Sequence, residues 1–335
     1  MAVICPTLMG MDFRTLLCVW LAGTACLGAA DTPSPALLIL DKEGALAIVN
    51  PSTREVVAKV RTGDDPHEAA ASSDGRLAFV SNYGSGPAPG HTLSVIDLAA
   101  QKEIHRVDLA PLMRPHGLDF AGGKLYFTCE GSKVVGRYDP VSNLVDWILG
   151  TGQNTTHMVR LSPDLNRLYT ANIGSNSISI FTRTGTADWN QVVVPVGKGP
   201  EGFDLTPDGR ELWAANSRDG SVSVVNLGEQ RVTHTFRVDT KRSNRLKFTP
   251  DGRLALITDL DAGDLVIYER ATLRQLKRMP LGRQPAGILV EPGGARAYVA
   301  VTGENYVAII DLTTLEMAGR IQPGTGPDGM AWAER

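Results

Sequence analysis

One short pattern recurs seven times along this chain at an almost constant spacing. Each copy consists of a turn that usually contains Pro, a short strand, a tight turn and a second strand. The recurring positions are Pro66, Pro115, Thr156, Pro200, Ser243, Pro285 and Pro327. The steps between them are 49, 41, 44, 43, 42 and 42 residues. A period of roughly 40 to 45 residues with several short strands per repeat is typical of a β-propeller.

The fourth copy shows the plan of one repeat. Residues 201–205 predict an inner strand, and residues 207–209 predict a hairpin turn in which Gly supplies a positive φ. Three further strands follow at 211–215, 221–225 and 231–238. Apolar and polar residues alternate in them, as half-buried strands require. No segment after Ala30 has helical periodicity, so the sequence predicts an all-β chain built from four-stranded blades.

The two ends of the chain each carry part of one blade. Residues 37–60 predict three strands, without the inner strand that opens every other copy. Residues 327–335 predict an inner strand with nothing after it. Joining the C-terminal strand to the N-terminal blade closes the ring and removes the open sheet edges. We therefore expect residues 31–335 to form a single domain, a seven-bladed β-propeller with one composite blade.

The segment 1–30 has the order of a secretory signal peptide. Its apolar part at 16–23 follows a lone Arg14, and small residues precede a polar stretch. This order predicts export to a periplasmic or extracellular space, with cleavage after Ala30. A lipoprotein anchored at Cys26 is the alternative.

The overall composition argues against two classes of protein. The chain has 335 residues, 43% of them hydrophobic, and a net charge of −3. Because phosphate contacts require a basic surface, this charge gives no support for nucleic-acid binding. No apolar run after Ala30 is long enough to span a bilayer. We expect a monomer that binds a small ligand or a protein partner, neither of which the sequence names.

Cys129 is the only cysteine that follows the predicted signal peptide, so no intramolecular disulfide is expected. It stands at the end of a second strand, a position that Asn82, Asn172 and Asn216 hold in other copies. We interpret it as a small buried residue. A reactive thiol is the alternative.

The residue after each recurring position opens the inner strand of its blade. The inner strands of a propeller surround the central axis, so equivalent residues form a ring at one mouth of the channel. In chain order these residues are His67, His116, His157, Glu201, Asn244, Ala286 and Asp328. Three of the six histidines of the chain therefore fall in neighbouring blades.

The second strand of each blade runs back towards the same mouth. The residues expected at its end are Asp41, Asn82, Glu130, Asn172, Asn216 and Asp259. Together with neighbours on the inner strands, they predict a polar ligand-binding mouth. Its predicted members are Glu68, Asn82, Glu130, Asn172, Asn216, Asn244, Arg245, Asp259 and Asp328.

The histidines of this ring predict a metal site. Neutral imidazole is a preferred ligand of Zn, Cu and Fe, and three imidazoles leave positions open for water or substrate. The predicted ligands are His67, His116 and His157. Glu201 is expected to act as a fourth ligand or a general base. Glu68 and Glu130 are expected to accept hydrogen bonds from the second imidazole nitrogens.

Two other interpretations of the ring stay open. The same polar side chains can bind a ligand or a partner without any ion. They can also be structural, because histidines at these turns can donate hydrogen bonds to backbone carbonyls between blades.

The repeats resemble the YVTN-type β-propeller repeat of YncE-like proteins over roughly residues 36–335. The motifs that carry the resemblance are Tyr-Thr-Ala-Asn at 169–172, Thr-Pro-Asp-Gly at 206–209 and 249–252, Val-Ile-Asp at 95–97 and Ile-Ile-Asp at 309–311. The repeats lack the Trp-Asp signature of WD40 proteins. The resemblance implies an exported seven-bladed propeller and does not imply a particular reaction.

The combined prediction is an exported propeller that binds a ligand or partner through one polar mouth. The alternative is a metal-dependent enzyme with a three-histidine site at that mouth. A lactonase-type hydrolase and a copper or iron oxidoreductase fit this alternative equally, and the sequence does not choose among Cu, Zn and Fe as the ion.

Overall fold

The structure is a computed structural model that describes residues 30–186 and 188–335. The predicted signal peptide, including Cys26, lies outside the described residues except for Ala30. Within the described residues, no helix is long and apolar enough to cross a membrane. Helical structure in this part of the chain is confined to two single 3-10 turns, Ile173–Ser175 and Thr302–Glu304.

The described chain forms seven antiparallel sheets of four strands each. The strands of the first half are β1 (Ala36–Asp41), β2 (Ala45–Val49), β3 (Val56–Arg61), β4 (Pro66–Ala71), β5 (Leu77–Gly84), β6 (Pro89–Asp97), β7 (Lys102–Asp108), β8 (Pro115–Ala121), β9 (Lys124–Cys129), β10 (Val134–Asp139), β11 (Leu144–Gly150), β12 (Thr156–Leu161), β13 (Arg167–Asn172) and β14 (Ser177–Arg183). The remaining strands are β15 (Trp189–Pro195), β16 (Pro200–Leu205), β17 (Glu211–Asn216), β18 (Ser221–Asn226), β19 (Arg231–Arg237), β20 (Ser243–Phe248), β21 (Leu254–Asp259), β22 (Asp264–Glu269), β23 (Arg274–Pro280), β24 (Pro285–Val290), β25 (Arg296–Val301), β26 (Tyr306–Asp311), β27 (Glu316–Ile321) and β28 (Pro327–Ala333).

Blades 1 to 6 take four consecutive strands each, from β4–β7 to β24–β27, and blade 7 combines β28 with β1–β3. This arrangement confirms the predicted all-β, seven-bladed propeller.

A repeated turn sequence explains why the first two strands of a blade pair with each other. In blade 4, Thr206 Oγ1 donates to Asp208 Oδ1 at 2.6 Å, and the same oxygen accepts from the Arg210 amide at 3.1 Å. Gly209 takes a φ of 65°, which L side chains rarely adopt. The hydroxyl-to-aspartate contact recurs in three other blades, between Ser72 and Asp74, Ser162 and Asp164, and Thr249 and Asp251.

The C-terminal strand completes the N-terminal blade, as the sequence predicts. β28 pairs antiparallel with β1, in a register that places Ala36 opposite Ala333 and Ile39 opposite Met330. The strand order in this sheet is β28, β1, β2, β3, so β1 has a hydrogen-bonded partner on both sides. All six residues of β1 are buried.

The core lies between neighbouring blades rather than at the centre of the ring. Between blades 4 and 5, for example, the Trp213 and Phe248 ring centroids are 5.2 Å apart. Cys129 belongs to a similar cluster and is fully buried. Burial, with a smaller effect of the Glu130 carboxylate, raises the pKa of its thiol to about 12. A thiol in this state is not a nucleophile at neutral pH, which favours the interpretation of Cys129 as a packing residue.

The inner strands approach one another closely near one mouth. Four of them carry Gly at the second position after the recurring residue, namely Gly117, Gly202, Gly287 and Gly329. A Cβ at Gly117 or Gly202 would lie 2.6 Å from backbone atoms of the next inner strand. The other three blades carry larger side chains that line the channel, namely Glu68, Met158 and Arg245. At the second position after the recurring residue, the side chains that line the channel therefore come from three blades only.

Candidate functional site

All seven residues that open the inner strands line one cavity of about 370 Å³, here called the mouth cavity. These residues are His67, His116, His157, Glu201, Asn244, Ala286 and Asp328. Six further lining residues lie at the ends of the second strands: Tyr83 within the last residues of β5, and Lys42, Glu130, Ile173, Leu260 and Thr302 directly after their strands. Residues that are far apart in the chain therefore converge on a single space.

Three imidazoles lie in a row in the mouth cavity. The ring centroids of His67 and His116 are 4.9 Å apart, and those of His116 and His157 are 3.8 Å apart. Ligand atoms of His116, His157 and Glu130 all lie within 4.8 Å of one another. Because metal–ligand bonds to these atoms are about 2.0–2.2 Å long, small side-chain adjustments would bring them to a common ion.

Hydrogen bonds fix the orientation of His157. Its Nδ1 lies 2.5 Å from Glu130 Oε1, and the hydroxyl of Tyr83 donates to Glu130 Oε2 at 2.5 Å. A carboxylate can only accept, so Nδ1 carries a proton and donates to Glu130. His157 Nε2 and His116 Nδ1 are buried and have no hydrogen-bond partner in the described part of the chain. Two buried imidazole nitrogens, on neighbouring rings of the mouth cavity, are thus left without a partner.

The surroundings determine the protonation of this cluster. Burial, and then the positive charge of His157, hold the pKa of His116 well below its ordinary value. Burial alone would raise the pKa of Glu130, but the hydrogen bonds from His157 and Tyr83 more than offset it, and the pKa lies below its ordinary value. Burial and the Glu130 carboxylate raise the pKa of Tyr83 to about 12. At neutral pH His116 is therefore a neutral imidazole, the form that coordinates metals.

His67 has hydrogen-bond partners at Nε2 and only a longer contact with a carboxylate at Nδ1. Nε2 lies 2.9 Å from Lys42 Nζ and 3.3 Å from Asp65 Oδ2, and Nδ1 lies 3.7 Å from Asp328 Oδ2. Lys42 also pairs with Asp328 at 2.8 Å. Burial alone would raise the pKa of Asp328, but Lys42 and His67 more than offset it, so the carboxyl stays ionised. His67 thus joins the imidazole row to an ionic cluster at the edge of the cavity.

Glu201 and Asn244 form a pair in the mouth cavity. Asn244 Nδ2 donates to Glu201 Oε1 at 2.6 Å, and both residues are buried. The next residue, Arg245, forms a close ion pair with Glu68 of blade 1. Glu68 lines the channel beyond the mouth cavity, whereas Arg245 lines both spaces. Glu68 therefore binds a guanidinium, and Glu130 alone of the two predicted acceptors holds an imidazole.

Four residues that were expected to line the mouth lie inside the blades, namely Asn82, Asn172, Asn216 and Asp259. Asn172 Nδ2 donates to the Ser177 and Ser179 hydroxyls at 3.2 and 3.0 Å. The Asp259 carboxylate accepts from three backbone amides at 2.8, 2.9 and 3.2 Å. These side chains tie the second strand to its surroundings, and they are not part of the mouth-cavity lining.

Strand alternation explains this placement. Successive side chains on a strand point to opposite faces, so the residue paired with the recurring position and the residue after it point in different directions. Cys129 pairs with Pro115 and is buried in the blade, while Glu130 faces the cavity. The same offset brings Lys42 and Tyr83 into the cavity. The sequence analysis missed these two, although both directly follow residues that it placed at the ends of second strands.

One family model matches part of the chain. The model is described as "Lactonase, 7-bladed beta-propeller" and matches residues 143–240, less than a third of the sequence. The matched segment spans most of blades 3 and 4 and contains His157 and Glu201.

Several solved structures share the architecture. A Kuenenia stuttgartiensis hydrazine synthase chain is 22% identical, with a TM-score of 0.68 over 79% of this chain and 89% of that one. The Pseudomonas aeruginosa periplasmic gluconolactonase is 17% identical, with a TM-score of 0.72 over 90% of this chain and 99% of that one. A candidate 6-phosphogluconolactonase from Bacteroides uniformis is 15% identical, with a TM-score of 0.74 over 90% and 100%. At these identities the similarities show one property of the chain, its seven-bladed β-propeller fold.

Proposed function

We propose that the mouth cavity binds a divalent transition-metal ion through His116 and His157, with His67 as third ligand, and presents that ion to a small ligand. The observation that carries this proposal is the pair of buried imidazole nitrogens, His116 Nδ1 and His157 Nε2, that have no partner in the described residues. An unsatisfied buried polar atom is costly, and a metal ion bound by both nitrogens would remove that cost.

The surroundings of His157 support the same proposal. Metal-binding imidazoles commonly donate their second ring nitrogen to a carboxylate, which fixes the ring and raises its basicity. Glu130 accepts this bond and is itself held by Tyr83. For His67 to complete the set, it would exchange its contact with Lys42 for the ion. Imidazole ligands suit Zn, Cu and Fe, and the ion would polarise an oxygen atom of the bound ligand.

The rest of the mouth cavity indicates what kind of ligand would fit. Lys42, Arg242 and Asn244 add positive charge and amide donors to its lining. A volume of about 370 Å³ is at the lower end of the range of small-molecule sites. We propose a small carbonyl- or carboxyl-bearing molecule as the ligand.

Metal analysis of the mature chain tests the metal site. We expect near-stoichiometric Zn, Cu or Fe in untagged wild-type protein and a loss of at least about tenfold in the His116→Ala/His157→Ala variant, because two of three ligands are removed. The variant His105→Ala/His234→Ala, which changes one half-buried and one exposed histidine outside the mouth cavity, is the matched control and should keep the ion. Equal melting temperatures of the three proteins would show that the loss is local.

A wild-type protein that stays metal-free after reconstitution with each of the three ions would overturn the metal site. The mouth cavity would then remain as a direct ligand-binding site or as part of the architecture.

A lactonase-type hydrolase is the second candidate function. The lactonase family model covers Glu201, and two of the structural neighbours are named for lactonase activity. The Glu201 carboxylate lines the mouth cavity and is held by Asn244. In such a reaction Glu201 would take a proton from a water molecule, the water oxygen would bond to the lactone carbonyl carbon, and the ring C–O bond would break. The departing oxygen would then be protonated to a hydroxyl.

Lactone hydrolysis by a Glu201→Gln variant tests this candidate. We expect wild-type protein to hydrolyse gluconolactone, and the variant to lose about 10²- to 10⁴-fold in kcat/KM with unchanged metal content, because general-base catalysis contributes that much. Glu229→Gln, at an exposed turn, is the control. Absence of hydrolysis in the wild type, or full activity in Glu201→Gln, would reject the candidate.

We further propose that the protein is exported and that its repeats are of the YVTN type. The leader pattern of the segment 1–30 supports export, and a periplasmic protein is among the structural neighbours. If metal analysis finds copper or iron rather than zinc, an oxidoreductase becomes the alternative to hydrolysis.

A further inference from the structure

A second cavity lies in the channel beyond the ion pair of Arg245 and Glu68. It has a volume of about 230 Å³ and is lined by the inner strands of six blades. We call it the lower chamber. Arg245 lines both the lower chamber and the mouth cavity, whereas the three imidazoles line the mouth cavity alone. The two spaces are therefore chemically distinct.

Charged side chains alternate around this part of the channel. The fourth residue after the recurring position is charged in blades 2 to 5, as Asp119, Arg160, Asp204 and Lys247. Both oxygens of the Asp119 carboxylate accept a hydrogen bond, one from Arg160 Nη1 at 3.3 Å and one from a backbone amide at 2.7 Å. Asp204 accepts from a backbone amide at 3.0 Å. Lys247 Nζ lies 3.9 Å from Asp204 Oδ1, beyond hydrogen-bond distance.

The unsatisfied groups in the lower chamber are donors. Arg160 Nε and Trp332 Nε1 are buried and have no partner in the part of the chain that is described. The side chains of Arg160 and Lys247 remain 41% and 25% exposed although they lie inside the channel, so water and small solutes reach them. A buried donor without an acceptor is costly, and a bound acceptor removes that cost.

We propose that the lower chamber binds a small carboxylate with an apolar body. Its oxygens would accept from Arg160, Lys247 and Trp332, and its body would lie against the apolar part of the wall. That part includes Phe120, Ile288 and Met330. An engineered apolar cavity of about 150 Å³ holds benzene, so a chamber of about 230 Å³ has room for a one-ring acid such as benzoate.

Calorimetric titration of metal-free protein with benzoate tests this site. We expect saturable binding, at least about tenfold tighter than that of benzamide, because the uncharged amide cannot replace a charge-assisted hydrogen bond. Arg160→Gln and Lys247→Met should each weaken benzoate binding by at least about tenfold, the loss expected for one such bond. His116→Ala/His157→Ala should bind benzoate as the wild type does, because these residues line only the mouth cavity.

Three outcomes would overturn the proposal. The first is absence of benzoate binding up to about 10 mM, a dissociation constant too weak for a specific site. The second is equal affinity for benzoate and benzamide. The third is loss of benzoate binding in the histidine variant together with unchanged binding in Arg160→Gln. The comparison of benzoate with benzamide uses wild-type protein, so it tests carboxylate binding in the lower chamber even if a variant fails to fold. Because the histidines are not involved, failure here leaves the proposed metal site untouched.

Discussion

Deletion of residues 327–335 is expected to abolish the cooperative native fold at room temperature. The deletion removes β28 and leaves β1, with its six buried residues, without an inner partner. It also removes the buried side chains of Met330, Ala331 and Ala333, which belong to the clusters on both faces of the composite blade. The free energy of unfolding of a domain is only about 5–15 kcal/mol, so the stabilisation lost with one strand of a closed ring exceeds it. Circular dichroism during heating measures the effect.

A shorter deletion provides the control. Glu334 and Arg335 are exposed and follow the last strand, so removal of these two residues should lower the melting temperature by no more than about 2–4 °C, the shift for about 1 kcal/mol in a domain of roughly 150–250 residues. If the chain without 327–335 melted like the control, closure by β28 would not be needed for stability.

The fold could be predicted from the sequence because the repeat leaves few alternatives. A strand-rich repeat of this length buries its apolar faces only against another copy of itself, so the number of copies gives the number of blades. Cys129 and Asn172 were predicted at equivalent ends of second strands, and they do pair with the equivalent recurring residues Pro115 and Thr156. The closing strand was predictable because the first and last copies are incomplete in complementary ways.

The candidate site could be predicted only in part. Equivalent positions give a ring, and His67, His116 and His157 do lie together. What the repeats do not reveal is the direction of each side chain. Asn172 and Asp259 were therefore expected to line the mouth. Strand alternation instead turns both side chains into the blade, and the residue that follows each of them lines the mouth cavity.

No local sequence pattern could predict the contacts across the channel. Glu68 and Arg245 are 177 residues apart, and their meeting depends on the diameter of the ring and on the glycines of the neighbouring blades. Neither quantity is encoded in a short stretch of sequence. The charged positions of the lower chamber, by contrast, recur at a fixed offset and could have been found by the alignment that revealed the histidines.

Arg245→Met is expected to destabilise the protein by about 3–5 kcal/mol, because it removes the partner of a buried carboxylate. The side chains of Arg245 and Glu68 are only 6% and 12% exposed. Burial alone would lower the pKa of Arg245, but the carboxylates of Glu68, Asp328 and Glu201 more than offset it. The guanidinium thus attracts three carboxylates, and its removal leaves Glu68 without its ion-pair partner. Urea unfolding monitored by tryptophan fluorescence measures the change.

Arg231→Met is the matched control, since Arg231 pairs with Glu229 at 2.5 Å but the two side chains are 65% and 51% exposed. An exposed pair contributes about 0–1 kcal/mol, so this variant should unfold almost as the wild type does.

The double variant Glu68→Leu/Arg245→Met distinguishes two contributions to this destabilisation. One is the cost of leaving a buried charge unpaired, and the other is the loss of the attraction between the two charges. Replacing both partners of a buried ion pair by apolar residues is often neutral, so the double variant should regain more than half of the stability that Arg245→Met loses. If instead both variants were equally unstable, packing of the Arg245 stem, rather than its charge, would hold the inner strands together.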